Sequence, residues 1–144
     1  MAAAAARAGC VVLFKGPDTV IAAPDPRALA AFYRSLLDWE TRDDEPDWVV
    51  LKPRGTGQGA ATGLAFQRET EHVPPRWPAT GGDQQMQAHL DIGVPDLAAG
   101  VARAEELGAV QADVQPQDDV RVMLDPAGHP FCLFLDPLGD PTGA

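Results

Sequence analysis

The residues of this chain best suited to chemistry are three histidines, His72, His89 and His129, and two cysteines, Cys10 and Cys132. A cysteine and a histidine together can form a nucleophilic pair. Such a thiol needs a neighbouring cation or a helix terminus to lower its pKa, and the sequence around Cys132 offers neither. Two cysteines also do not make a disulfide framework in a chain of 144 residues. We therefore expect reduced thiols, with Cys132 acting as a small buried hydrophobic residue.

Flat aromatic side chains are the second group with a chemical use. Trp39, Trp48 and Phe66 lie on predicted strands, where their rings either stack on a planar or cationic ligand or pack in the core. The glycine-rich stretch at 55–59 resembles a phosphate cradle only superficially, because it lacks a Lys-Ser/Thr ending and a following helix. We expect it to be a hairpin loop.

The chain that positions these residues repeats itself. Residues 49–55, Val-Val-Leu-Lys-Pro-Arg-Gly, return in outline at 122–128 as Val-Met-Leu-Asp-Pro-Ala-Gly. The dipeptide at Pro24, Pro-Asp, opens an alanine-rich stretch, and the same dipeptide at Pro95 opens another. This duplication predicts an α+β fold in which two βαβββ repeats form curved mixed sheets around a shared cleft. A cleft between repeats is where we expect a small ligand to bind.

The repeats predict the order of helices and strands in each half. Leucine and aromatic residues of the first alanine-rich stretch fall three and four positions apart, which is typical of an amphipathic helix that Asp25 would cap. The predicted elements of the first half are a strand at 18–23, a helix at 27–38, and strands at 39–42, 48–51 and 64–67. Those of the second half are a strand at 86–94, a helix at 96–107 closed by Gly108, and strands near 109–114, 121–124 and 130–135.

The length of the chain suits one well-buried domain and is too short for two. Prolines and glycines are too dense between the halves for regular structure there. We predict a single domain at 16–138, preceded by a partly disordered N-terminal segment at 1–15 and followed by a tail at 139–144. Within the domain, the repeats lie at 16–68 and 85–138, and a linker at 69–84 joins them.

Composition limits the partners. The net charge is −10, from 21 acidic and 11 basic residues. The basic residues do not gather into the positive face that nucleic acid or an anionic membrane requires, so neither is an expected partner. No apolar run approaches the roughly 18 residues that span a bilayer. The alanine-rich start lacks the features of a secretory leader, and we expect a cytoplasmic protein.

Three motifs link the sequence to a known family. They are Ala-Ala-Pro-Asp-Pro-Arg-Ala-Leu-Ala-Ala-Phe-Tyr-Arg-Ser-Leu-Leu at 22–37, His-Leu-Asp-Ile-Gly-Val-Pro-Asp-Leu at 89–97 and Asp-Pro-Ala-Gly-His-Pro-Phe-Cys-Leu at 125–133. Together with the Pro-Arg-Trp-Pro segment at 75–78, they resemble the vicinal oxygen chelate superfamily, in its glyoxalase, bleomycin resistance and dioxygenase branch. The resemblance covers about residues 18 to 136. It implies the fold predicted above and a homodimer, but the superfamily includes lyases, dioxygenases and drug-sequestering proteins, so it selects no single reaction.

The resemblance also identifies four positions at which metal-dependent members carry ligands, usually His or Glu. Here those positions hold Asp18, Ala65, His89 and Cys132. Ala65 has no donor atom, and Gln67 on the same strand face supplies only a weak amide ligand. The remaining carboxylate, imidazole and thiolate depart from the family's set of hard ligands. We therefore expect no metal cofactor. If a divalent metal does bind, we expect Asp18, His89 and Cys132 to hold it.

The favoured function is metal-independent binding of a small organic ligand, including sequestration of a toxic or cationic natural product as in bleomycin resistance. The predicted ligand-binding residues are Asp18, Trp39, Trp48, Phe66, Gln67, His89 and Cys132. His89 has three interpretations, as a polar group that orients the ligand, as a core histidine or as a metal ligand. Two alternative functions stay open: a metal-dependent enzyme of the lyase, isomerase or dioxygenase kind, and a non-catalytic interaction module that binds a protein through Pro75 to Pro78.

Overall fold

The computed structural model describes residues 17–56 and 62–137. The predicted N-terminal segment at 1–15, the tail at 139–144 and Cys10 lie outside these residues. The first half contains β1 (Thr19–Ala23), α1 (Pro26–Leu37), β2 (Glu40–Glu45), β3 (Trp48–Lys52) and β4 (Leu64–Arg68). The second half contains β5 (Asp91–Val94), α2 (Leu97–Glu106), β6 (Val110–Gln111), β7 (Val120–Leu124) and β8 (Pro130–Leu135).

The strands form two four-stranded mixed sheets of the same design. The order is β1-β4-β3-β2 in one sheet and β5-β8-β7-β6 in the other. In each sheet the first and last strands of the repeat pair in parallel, and the other pairs are antiparallel. The predicted α+β fold of two βαβββ repeats is confirmed. No helix among residues 17–56 and 62–137 is long and apolar enough to cross a membrane.

The repeated Pro-Asp dipeptide marks the start of each helix. The side chains of Asp25 and Asp96 accept hydrogen bonds of 3.0 Å from the backbone N–H groups of Ala28 and Ala99, which otherwise have no partner in a first helical turn. α1 ends at Asp38, whose φ of 53° is left-handed. Gly108 follows α2 with a φ of 113°, a conformation that costs glycine little. The Pro-Asp signal therefore starts both helices at the same place in each repeat, whereas different residues, Asp38 and Gly108, follow their ends.

An aromatic cluster joins the two halves into a common core. Phe32 and Tyr33 of α1 lie with their ring centres 5.9 Å and 6.0 Å from that of Phe131, at the start of β8. Tyr33 also stacks on Phe66 of β4 at 5.7 Å. Buried aromatic rings in these arrangements stabilise a core beyond the area they remove from water. The first repeat is therefore packed directly against the second.

A buried hydrogen bond adds a specific link at the same place. The hydroxyl of Tyr33 donates to Oδ2 of Asp125 at 2.7 Å, and the two residues are only 1% and 4% exposed. Oδ1 of Asp125 accepts from the backbone N–H groups of Ala127 and His129, each at 2.9 Å. These contacts satisfy the buried carboxylate. They tie α1 of the first half to the turn between β7 and β8 of the second.

Three strand boundaries differ from the prediction. β2 runs to Glu45, three residues beyond its predicted end at 42, so its acidic residues belong to an edge strand, where charged side chains face solvent and are tolerated. β5 begins only at Asp91, although the sequence predicts a strand from Met86, because residues 84–90 leave the sheet and line a cleft. β6 contains only Val110 and Gln111, less than predicted.

Candidate functional site

A cleft of about 340 Å³ lies between β1, the linker, residues 84–90 and the start of β8. All three histidines of the chain contribute to its walls, and we call it the three-histidine cleft. Its remaining polar side chains come from Thr19, Tyr33 and three glutamines, Gln84, Gln85 and Gln87. No Asp, Glu, Lys or Arg lines it within the described part of the chain. In a protein of net charge −10, this cleft is therefore uncharged unless a histidine is protonated.

A group of metal-ligating side chains forms around one of these histidines. Nε2 of His89 lies 3.1 Å from Oδ1 of Asp91, and Asp91 is paired with Cys132 across the β5–β8 ladder. One ligand atom from each residue lies within 4.8 Å of the other two. We call these three residues the His89 group. His89 and Asp91 are partly exposed, and Cys132 is half-buried, so an ion from solvent can reach the group.

The donor set of the His89 group suits zinc better than a hard cation. One imidazole, one carboxylate and one thiol supply three ligands, and a catalytic zinc site keeps its fourth position open. Burial raises the pKa of the Cys132 thiol, and the charge and hydrogen bond of Asp91 raise it further. Without a metal the thiol is therefore protonated at neutral pH, and zinc binding would release that proton.

Asp18 lies outside the His89 group. Its Oδ1 accepts hydrogen bonds from Nζ of Lys52 at 2.6 Å and from the backbone N–H of Gly63 at 2.8 Å. The hydrogen bond from Lys52 is the main cause of a lowered pKa of Asp18, and the bond from Gly63 lowers it further. The structure thus brings together two of the three predicted metal ligands, His89 and Cys132, and places Asp91 where the sequence predicted Asp18.

The remaining predicted ligand-binding residues are distributed over different surfaces. Phe66 is fully buried against Tyr33 and does not line the three-histidine cleft. Its side chain is on the opposite face of β4 from that of its neighbour Ala65. Trp39 is half-buried against the core. Trp48 and Gln67 are paired across the β3–β4 ladder and are both exposed. Neither of them lines the three-histidine cleft.

Two of the cleft histidines, His72 and His129, lie side by side. The ring centres of His72 and His129 are 4.9 Å apart. Nε2 of His72 donates to the backbone oxygen of Ala127 at 2.9 Å, and Nε2 of His129 donates to that of Ala22 at 2.8 Å. His72 is half-buried, although it lies in the linker between the repeats. No local sequence pattern indicates that these two histidines lie together.

Comparison with known proteins identifies the family. The model of the glyoxalase-like domain matches residues 18–134. The chain belongs to the glyoxalase-like domain family. This confirms the resemblance drawn from the three motifs. Among curated proteins, none matches the chain.

Solved structures show the same fold in glyoxalase-like relatives. A glyoxalase/bleomycin resistance protein/dioxygenase family enzyme from Burkholderia phytofirmans is 18% identical, with 81% of this chain and 94% of that chain covered and a TM-score of 0.55. A glyoxalase family protein from Enterococcus faecalis is 21% identical, with 81% and 94% covered and a TM-score of 0.57. The fosfomycin resistance protein FosX from Listeria monocytogenes is 11% identical, with 87% and 95% covered and a TM-score of 0.61. At these identities the likeness establishes the fold and not the reaction.

Proposed function

We propose that this glyoxalase-like protein binds a small organic ligand in the three-histidine cleft and needs no resident metal to do so. The observation that carries the proposal is the cleft itself. Its volume of about 340 Å³ lies within the range of small-molecule sites, roughly 300–1,000 Å³. Its walls combine apolar side chains such as Val20 and Met86 with a few polar groups, which is the usual composition of such sites.

The lining favours an uncharged ligand. A cationic natural product is the ligand that the acidic composition suggests, yet no carboxylate lines the cleft. A buried cation without a counter-charge is costly. The glutamine amides and the hydroxyl of Thr19 instead offer neutral donors and acceptors. We therefore propose binding or sequestration of a neutral ligand with hydrogen-bonding groups on an apolar frame.

The test is a thermal-shift screen of neutral and cationic small molecules, with each hit measured by calorimetry in the presence and absence of a chelator. The matched variants are Ala88→Trp and Ala98→Trp. Ala88 lines the cleft, whereas Ala98 is exposed on α2 outside it. We expect the indole to block the cleft only at Ala88, so that ligand binding is lost in that variant and kept in Ala98→Trp. Binding that disappears with chelator, or that survives Ala88→Trp, contradicts the proposal.

The second candidate function is a metal-dependent enzyme that uses the His89 group. The observation in its favour is the convergence of three donor atoms within 4.8 Å. A bound divalent ion would supply a Lewis acid that polarises a substrate oxygen. FosX from Listeria monocytogenes has been solved with Mn(II) and dihydroxypropylphosphonic acid, which shows that a protein of this fold holds a metal. His89, Asp91 and Cys132 would hold the ion here.

Metal content separates this candidate from the first. Elemental mass spectrometry of purified protein, before and after dialysis against zinc, iron, nickel and manganese, would give about one equivalent of one metal if the enzyme hypothesis is correct. The Asp91→Asn variant would then lose that metal together with any lyase, isomerase or dioxygenase activity. If the Asp91→Asn variant retains the metal, residues outside the His89 group bind it.

We also propose a cytoplasmic homodimer. Trp48 is 36% exposed on β3, so its ring is available for a contact with a second copy of the chain. Light scattering after size-exclusion chromatography tests the dimer. The alternative of an interaction module through Pro75 to Pro78 has less support, because Pro75 lines the cleft and Trp77 is half-buried.

A further inference from the structure

His72 and His129 are held in one tautomer by the backbone. A carbonyl oxygen accepts hydrogen bonds and never donates them, so the Nε2 atoms bonded to Ala127 and Ala22 must each carry the hydrogen. In a neutral imidazole the lone pair is then on Nδ1. Both rings are half-buried and line the three-histidine cleft. The cleft therefore contains two neighbouring imidazoles whose Nδ1 atoms are acceptors.

This arrangement is the one that metal-binding histidines adopt. A histidine that ligates a metal almost always donates its other ring N–H to a carboxylate or a backbone carbonyl, which fixes the tautomer and the ring orientation. Both His72 and His129 do so, at 2.9 Å and 2.8 Å. The two carbonyls belong to the β7–β8 turn and to β1, so parts of both halves hold the rings in place.

The separation of the rings fits a shared ion. With Zn–N bonds of about 2.0–2.1 Å and tetrahedral geometry, two imidazoles on one zinc ion have ring centres about 5 Å apart. The observed separation is 4.9 Å, with the ring planes inclined at 51°. Water would complete the coordination. We propose that His72 and His129 form a two-imidazole site for a borderline divalent ion such as Zn²⁺, separate from the His89 group.

The proposal is independent of the ligand-binding function, and glutamine variants test it. A glutamine side chain places its amide nitrogen near the position of Nε2, so His72→Gln and His129→Gln can keep the hydrogen bonds to the carbonyls while removing Nδ1. His89→Gln is the matched control, because it disables the His89 group by the same change. The probe is zinc chloride, titrated by calorimetry into the full-length chain.

We expect His89→Gln to retain a zinc site, and we expect the His72→Gln/His129→Gln double variant, made in the His89→Gln background, to lose more than about 100-fold in affinity for zinc. That loss is larger than the 10–100-fold loss of metal affinity that follows when only a hydrogen-bond partner of a metal ligand is removed. Zinc binding that is unchanged in the double variant, or absent from both wild type and His89→Gln, would overturn the proposal. Electron paramagnetic resonance of Cu²⁺ in His89→Gln gives a second readout that does not depend on folding of the double variant. Coupling to two nitrogens supports the site, and coupling to none rejects it.

Discussion

The hydrogen bond between Tyr33 and Asp125 gives the sharpest stability prediction, for the variant Tyr33→Phe. The change removes one hydroxyl and keeps the ring, so the contacts of Tyr33 with Phe66 and Phe131 remain. It also leaves Oδ2 of a carboxyl that is only 4% exposed without its 2.7 Å donor. Hydrogen bonds to charged groups contribute about 1.5–3 kcal/mol. We expect the free energy of unfolding to fall by about that amount.

The assay is urea unfolding followed by tryptophan fluorescence, with a thermal scan as a second measure. For a domain of this size a loss of 1 kcal/mol lowers Tm by about 4 °C, so we expect a decrease of roughly 6–12 °C. A double-mutant cycle with Asp125→Asn separates this bond from the bonds that Asp125 makes to Ala127 and His129. We expect a coupling energy of at least about 1 kcal/mol. A Tyr33→Phe variant within about 0.5 kcal/mol of wild type, which is the spread of ordinary surface substitutions, would refute the reasoning.

Three further predictions concern ionisation. Tyr33 is the single tyrosine of the chain, and burial together with Asp125 raises its pKa. Absorbance at 295 nm should therefore show no tyrosinate in the folded protein as the pH passes 10. Because the pKa of Tyr33 is higher in the folded state than in the unfolded state, its contribution to the free energy of unfolding is complete below pH 10 and is lost as the pH rises above it. The lowered pKa of Asp18, caused mainly by the hydrogen bond from Lys52, gives the opposite sign. Asp18→Asn should be less stable than wild type to urea at pH 7, and the difference should shrink as the pH falls below about 4, because a paired carboxylate stabilises only while it is ionised. In a Cys10→Ala background, Cys132 should react with iodoacetamide more slowly at pH 8 than a free thiol, since its pKa is raised. The additional change Asp91→Asn should speed this reaction. Equal rates with and without Asp91→Asn would contradict the part that Asp91 is assigned in raising the pKa.

The repeat made the fold predictable from the sequence. Pro24-Asp25 and Pro95-Asp96 each combine a chain break with a helix cap, and both helices begin there. Strand boundaries are harder to predict where one residue pattern suits both a strand and an irregular segment. The alternation in Gln85-Met86-Gln87 resembles a strand, but these residues line the cleft and not the sheet.

The candidate site was predictable only in part, since its contacts are set by register and tertiary structure. His89 and Cys132 were found through the family pattern. Asp91 was overlooked because its contact with Cys132 depends on the pairing of β5 with β8, and a shift of one residue would turn it to the other face. The neighbouring rings of His72 and His129 come from the linker and from a turn of the second repeat. No local pattern brings two such segments together.

Residues 84–90 form a wall of the cleft without belonging to a strand. Substitutions there can change the shape and hydrogen-bonding capacity of the cleft while the strand pairs of both sheets stay intact. Irregular segments on a rigid framework tolerate such variation well. Under the proposed function, ligand preference can change while this framework is kept, and a library randomised at Gln85, Gln87 and Ala88 is the natural starting point for selecting new specificities.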